Sequence, residues 1–171
     1  GNVYEGEYVK GKREGYGTYT FPDGEKYEGQ WFQDQQHGKG IYYFMNNNRY
    51  DGMWFQDYQQ GKGTMYYYTG DIYEGDWVND KREGQGTYTW KNGSKYEGSW
   101  KNDKKEGKGT FVWNDGCKYE GDWKNDVRDG KGTFEYANGD KYVGDWKDDM
   151  QHGKGIYFFH TGDRYEGSYV Q

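Results

Sequence analysis

Residues Lys95 to Gly116 read KYEGSWKNDKKEGKGTFVWNDG, and the rest of the chain reads as further copies of this stretch. Aligned on the tyrosine, the copies fall in register without insertion or deletion: Tyr4, Tyr27, Tyr50, Tyr73, Tyr96, Tyr119, Tyr142 and Tyr165 stand 23 residues apart. Two residues on comes a glycine in every copy, from Gly6 and Gly29 through Gly98 to Gly167. Four residues on comes a second aromatic: Tyr8, Trp31, Trp54, Trp77, Trp100, Trp123, Trp146 and Tyr169. A fixed period of this length marks a repeat array, whose fold is argued per unit.

Composition excludes an ordinary core. Only 31 % of the 171 residues are hydrophobic, there is no Leu, and Ala137 is the one alanine. Aromatics take the place of aliphatics, and 29 of the 37 fall in four repeat columns. A mean hydropathy of −1.48 would suit a disordered chain, but disordered chains are poor in aromatics and carry no phased glycines.

Within one unit, Thr18-Tyr19-Thr20-Phe21 alternates polar and aromatic, the period of a half-buried strand. Pro22-Asp23-Gly24-Glu25 is a turn. Its glycine recurs at Gly70, Gly93, Gly116, Gly139 and Gly162, with Asn47 in the remaining copy, as a left-handed hairpin position requires. Lys26 to Trp31 alternates again as the return strand, with Tyr27, Gly29 and Trp31 on one face. The glycine between the two rings is expected to leave space for a ring from a neighbouring strand.

Phe32 to Gly40, FQDQQHGKG, reads as a second tight connection whose Gly-x-Gly pair is a turn. The expected fold is therefore all-β, an elongated single-layer antiparallel meander of stacked hairpins over residues 1–171, seven repeats and the start of an eighth. Strands about 4.8 Å apart would carry it over roughly 70 Å. A lone unit is too small to bury a core, so neighbours must stabilise one another. Tyr27, Trp31, Tyr50, Trp54, Tyr73, Trp77, Tyr96, Trp100, Tyr119, Trp123, Tyr142 and Trp146 are the expected structural rings, with Gly29 and Gly98 among the structural glycines.

The other face carries charge. After the tyrosine stands an acidic residue in seven of eight copies, and before it a basic one in six. Net charge is −6 with both signs interleaved, so neither a basic stripe for nucleic acid nor a polybasic lipid surface is present. The ladder reads either as a solvated face that discourages edge pairing or as a partner groove using the acidic column.

Tyr-Glu-Gly-x-Trp, then Gly-x-Gly, Thr-aromatic-x-aromatic and Asn/Asp-Gly on this period resembles the MORN (membrane occupation and recognition nexus) repeat. The resemblance implies a stacked-hairpin solenoid of the kind found in junctophilins, radial-spoke heads, parasite cytoskeletal scaffolds and the repeat regions of plant phosphoinositide kinases. It implies no activity of the repeats themselves, and it puts two functions forward, protein scaffolding and lipid binding.

Lipid binding is opposed by the charges, since attraction to an anionic leaflet is worth about 1 kcal/mol per nearby basic residue and acidic neighbours alternate with most of them here. Scaffolding of other proteins in a larger assembly, ciliary, axonemal or cytoskeletal, and cytoplasmic, is the expected function. The alternatives are a membrane-tethering module and the regulatory repeats of a larger enzyme. Open array ends and an exposed sheet also leave room for a homodimer.

Specificity is expected where the copies disagree. The second and third replace the basic Asn-Asp-Lys loop by FQDQQHGKG and FQDYQQGKG, and add Phe32, Tyr43, Phe55, Tyr58, Tyr66 and Tyr68 outside the four columns. Phe158 is a later instance. These side chains are the partner-binding candidates, and drift on a tolerant surface is the competing reading.

No catalytic residue and no cofactor is expected, because no serine or cysteine nucleophile comes with a base and orienter. Cys117, in a hairpin turn, and His152 and His160 are the metal-ligating candidates, without the spacing of an ordinary ligand set. His37 shares its column with His152, Glu14, Gln60 and Glu106, as one polar loop residue among several.

Overall fold

The computed structural model describes residues 1–169, and every regular element in it is a strand. The strands are β1 Val3–Val9, β2 Lys12–Thr20, β3 Lys26–Phe32, β4 Gln35–Tyr43, β5 Arg49–Phe55, β6 Tyr58–Tyr66, β7 Ile72–Val78, β8 Lys81–Thr89, β9 Lys95–Lys101, β10 Lys104–Val112, β11 Lys118–Lys124, β12 Val127–Glu135, β13 Lys141–Lys147, β14 Met150–Phe158 and β15 Arg164–Tyr169. They are hydrogen-bonded in chain order in one open sheet. Two compact units divide the chain, residues 1–84 and residues 85–171, and the last two residues of the second lie outside the described part.

Two turns alternate, and each is set by local chemistry. In the first, the Phe21 carbonyl accepts from the Gly24 N–H at 3.0 Å, the Phe21 N–H donates to the Glu25 carbonyl at 2.9 Å, and the Asp23 carboxylate accepts from the Glu25 N–H at 2.9 Å. Gly24 lies at φ 96° and Asn47, its counterpart one unit on, at φ 73°, so the left-handed position read from the sequence is present.

The second turn differs from expectation. The connection is two residues long, Gln33–Asp34, at φ 49° and 70°, and the same pair of left-handed residues recurs at Gln56–Asp57, Asn79–Asp80, Asn102–Asp103 and Asn125–Asp126. Two left-handed central residues make the type I′ hairpin, whose twist matches the strands on either side. The Gly-x-Gly pairs are not turns: Gly38 and Gly40 lie inside β4. Asn and Asp tolerate the left-handed region well enough that no glycine is needed in the turn itself.

The two glycines of each pair have separate duties. Gly38, at φ 70°, sits where the β3–β4 register shifts, between the pairs Gly29↔Gly40 and Trp31↔Gln36. Gly40 lies beneath the Tyr27 ring, and a Cβ added there would stand 2.2 Å from the tyrosine oxygen. A Cβ on Gly29 would meet the Gly40 Cα at 2.4 Å and the Lys39 carbonyl at 2.7 Å. The tyrosine-plus-two glycine therefore admits the neighbouring backbone, and the ring rests on the glycine of the next strand; what stands nearest a Gly29 Cβ is the β4 backbone and the Tyr27 hydroxyl of its own strand, in place of the expected ring from a neighbouring strand.

This arrangement builds a core almost entirely from aromatics, with Met65 in a ring's place in one repeat. In unit 1, Tyr27 meets Trp31 at 5.1 Å and 82° and Trp54 at 5.4 Å and 88°. In unit 2, Tyr96 meets Trp100 at 5.2 Å and Trp123 at 5.4 Å, both near 86°. Edge-to-face contacts of this kind add to the gain from burial. Tyr27, Tyr50, Tyr73, Tyr96, Tyr119 and Tyr142 are 0 % exposed, and their tryptophan partners are buried beside them. The polar ends are satisfied: the Tyr27 hydroxyl donates to the Gln30 carbonyl at 2.7 Å, and Trp31 Nε1–H donates to the Gly17 carbonyl at 3.1 Å.

A further tie joins successive type I′ turns. The Asp34 carboxylate accepts from the Arg13 N–H and Asp57 from the Gln36 N–H, both at 2.8 Å; in unit 2, Asp126 accepts from Lys105 and Asp149 from Arg128 at the same distance. The Arg13 backbone N–H, then its guanidinium, holds the Asp34 carboxyl below the usual carboxylate range. Arg13 also lies 4.5 Å over the Trp31 ring, and Arg128 4.6 Å over Trp146, while Gln36 and Gln59 are buried in this column.

Candidate partner-binding surface

Because side chains alternate along a strand, β3 turns Tyr27, Gly29 and Trp31 to the aromatic face and Lys26, Glu28, Gln30 and Phe32 to the charged one. The sequence-derived candidates reach this second face in two groups.

The first group lies at the glycine-turn end of the strands. Tyr43 pairs with Lys26 and Arg49, and Tyr66 with Arg49 and Ile72. Lys26 Nζ stands 4.7 Å from the Tyr43 ring centroid, and the Arg49 guanidinium 4.3 Å from that of Tyr66. Lys26 also contacts Glu28 at 2.8 Å, which raises the lysine pKa. Both tyrosines are thus half-covered by cations and partly exposed. Tyr68 stands apart in the following turn, exposed, with its N–H on Asn48 Oδ1 at 2.8 Å.

The second group lies at the type I′ end. Phe32, at the end of β3, is 47 % exposed; Phe55, at the end of β5, 48 %; and Tyr58, directly across the turn from Phe55, 50 %. Between the phenylalanines sits His37, its ring 5.4 Å from each. Its place in the sequence gave no sign of this contact. Glu14, Gln60 and Glu106 in the same column accept the N–H of Gln33, Asn79 and Asn125, so the column caps turns and is not merely polar loop; His37 packs on rings instead.

In unit 2, Phe158 pairs with Lys141 and Arg164 and is half-buried. The metal-ligating candidates are spread. Cys117 lies in the β10–β11 turn, its thiol pushed up by burial. The His160 ring contacts the Asp140 carboxylate at 2.8 Å, and His152 Nδ1 is buried without a hydrogen-bond partner. Among the described residues no three His, Cys, Asp or Glu side chains come together as a metal-binding group.

Asp140 shows how the glycine turns are tied to one another. It accepts from the Tyr157 hydroxyl and the His160 N–H, both at 2.8 Å. With the His160 ring foremost, these partners hold its carboxyl down to about 2. In unit 1 the Glu25 carboxylate ties neighbouring glycine turns by the same contacts, accepting from the Tyr42 hydroxyl at 2.8 Å and the Met45 N–H at 2.9 Å.

With this geometry in place, comparison with known proteins decides the family. Seven consecutive stretches, 4–26, 27–49, 50–72, 73–95, 96–118, 119–141 and 142–164, each match the MORN repeat. The chain belongs to the MORN repeat family. Its repeats begin on the tyrosines of the 23-residue period, so the exposed rings Phe32, Phe55, Tyr58 and Tyr68 and the half-buried Tyr43 and Tyr66 all belong to MORN repeats 2 and 3.

Among solved structures, the MORN array is similar to the SAS-4 (dCPAP) TCP domain of Drosophila melanogaster, solved in complex with a proline-rich motif of Ana2. The TM-score is 0.56 at 16 % identity, over 96 % of this chain and 95 % of that one. It is also similar to the wild-type TCP10 domain of Danio rerio CPAP, with TM-score 0.56 at 12 % identity over 98 % and 79 % of the two chains. At such identities the likeness is one of fold. No curated protein sequence matches the chain. Among the described residues no helix is long and apolar enough to cross a membrane.

Proposed function

We propose that this MORN array is a non-catalytic scaffold that binds other proteins through the charged face of repeats 2 and 3, within a ciliary, axonemal (radial-spoke-like) or cytoskeletal assembly in the cytoplasm. One observation carries the reading: Phe32, Phe55 and Tyr58 stand about half exposed as aromatic rings in columns that elsewhere hold no ring, with Val9, Val78, Lys101, Lys124 and Lys147 in the first and Lys12, Gln35, Lys81, Lys104, Val127 and Met150 in the second. Single exposed apolar side chains occur along the array, among them Val9, Val78 and Met150, but here three large rings gather, two of them against one histidine, and such a cluster is the mark of a contact site.

The reading assigns no reaction and no cofactor to the repeats. The SAS-4 TCP domain, similar in fold, is in complex with a proline-rich motif of another protein, which supports the idea that an open sheet of this kind takes up a partner segment.

Affinity capture from ciliated cells, with wild-type protein and with Tyr43→Ser/Tyr66→Ser, tests the assignment. The expected result is a set of axonemal or cytoskeletal proteins whose recovery falls in the variant while its thermal unfolding stays unchanged. Co-sedimentation with phosphoinositide vesicles at low salt, undiminished in the same variant, would instead favour the membrane reading.

A further inference from the structure

We infer that the Phe32–His37–Phe55–Tyr58 patch binds a proline-rich segment in the polyproline II conformation, running across the strands with an apolar residue at every third position. The inference rests on the reading of repeats 2 and 3 as the partner surface and names the ligand of that surface.

Spacing is the first argument. Phe32 on β3 and Phe55 on β5 are two strands apart, roughly 10 Å, and their rings are linked by two 5.4 Å steps through His37. A polyproline II helix repeats every three residues, roughly 9.3 Å, so residues i and i+3 meet successive rings without strain. The strands' own hydrogen bonds are taken up within the sheet, so a segment on this face must bring a backbone that needs no partner. Polyproline II does so, being solvated along its length.

Width is the second argument. Toward the strand centres the next outward-facing residues on β3 and β4 are Gln30 and Lys39, and only β5 continues the apolar surface, with Met53. An α-helix, about 10–12 Å across, needs a wider apolar stripe than this single row. Area disposes of a second copy of the chain: three half-exposed rings and Met53 offer roughly 400 Å², about half of what each side of a stable interface buries.

Charge is the third. Gln33, Gln35 and Gln56 surround the rings, and the turn carboxylates of Asp34 and Asp57 are engaged by the Arg13 and Gln36 N–H groups. The Arg13 guanidinium pairs with Asp34 at 3.2 Å, and the remaining Asp57 carboxylate is balanced by Lys39, so the rim carries no net charge; an uncharged ligand is favoured and binding should depend only weakly on salt.

Two display libraries of short segments test this against the whole chain, one fixed as Pro-x-x-Pro-x-x-Pro and one patterned as an amphipathic helix without proline. The expected result is enrichment from the first library, with resonances of Phe32, His37 and Phe55 perturbed on binding. Affinity should fall roughly tenfold or more in Phe32→Lys/Phe55→Lys and change little with added salt. That variant installs the array's own residue, as at Lys101 and Lys124; should it unfold, Tyr58→Lys, matching Lys81 and Lys104, takes its place.

Enrichment from the helical library alone, at the same rings, overturns the ligand class and leaves the partner surface standing. Ligands that perturb only residues outside repeats 2 and 3, unaffected by the lysine variants, overturn both. Enrichment from neither library overturns the inference.

Discussion

The Tyr27 ring fills the volume that a side chain on Gly40 would need, with the tyrosine oxygen 2.2 Å from where a Cβ would stand. The same ring is the buried centre of its repeat, so tyrosine and glycine are one device on adjacent strands. Gly40→Ala cannot be relieved by a rotamer change of an exposed chain end, because the obstacle is a packed ring. We expect a loss of about 3 kcal/mol or more in urea unfolding. A midpoint unchanged from wild type would show that the ring can move aside.

Alkaline pH probes the same tyrosines together. Burial pushes the hydroxyls of Tyr27, Tyr50, Tyr96 and Tyr119 far above their ordinary 10.0, and that of Tyr142 up to about 12. The folded state keeps them neutral while the unfolded state ionises them. Their contribution to stability is therefore complete below pH 10 and declines as pH rises above it. Tyrosinate absorbance should rise in two stages, exposed rings first and the buried set together with unfolding. A single transition at the ordinary value, with the fold intact, would contradict this.

Repeats 2 and 3 use glutamine where repeats 4, 5 and 6 use asparagine at the first left-handed turn residue, Gln33 and Gln56 against Asn79, Asn102 and Asn125, at φ 48–49° in all five; repeat 1 has Lys10 there and repeat 7 Asp148. Asparagine adopts this region at lower cost. Gln33→Asn and Gln56→Asn should each stabilise by about 0.5 kcal/mol, read as a raised thermal midpoint. Destabilisation by either would mean that the glutamine side chain makes a contact that outweighs its backbone cost.

Asp140 should report acid pH. Held down to about 2 by His160 and Tyr157, its carboxyl favours the folded state above its ordinary 3.8, and this contribution fades as pH falls from there through about 2. Carboxyl chemical shifts should place its titration near 2, and Asp140→Asn should flatten the stability profile across that window. An ordinary midpoint would break the link drawn between neighbouring glycine turns.

The period disclosed the strands, the left-handed Gly24 and Asn47, and the aromatic columns, because each depends only on spacing along one strand. What stayed hidden depends on register between strands. The pairing of Asp34 with the Arg13 N–H spans 21 residues and appears only once the hairpins are laid side by side. The Gly-x-Gly pair misled because paired glycines usually signal a turn, whereas Gly38 serves a register shift and Gly40 a ring from β3. On the charged face, Tyr43 and Tyr66 were legible as extra aromatics, but their cover by Lys26 and Arg49 was not, nor was the place of His37 between Phe32 and Phe55.

The central claim is that partners are read by repeats 2 and 3 while the regular repeats supply the frame. Crosslinking mass spectrometry on the chain captured with its native partners tests it most directly, since Lys39 and Lys62 lie on the charged face beside the exposed rings and further lysines occupy the later repeats. We expect crosslinks to partners to concentrate at Lys26, Lys39 and Lys62. Crosslinks concentrated instead between Lys95 and Lys154, with these three silent, would contradict the account.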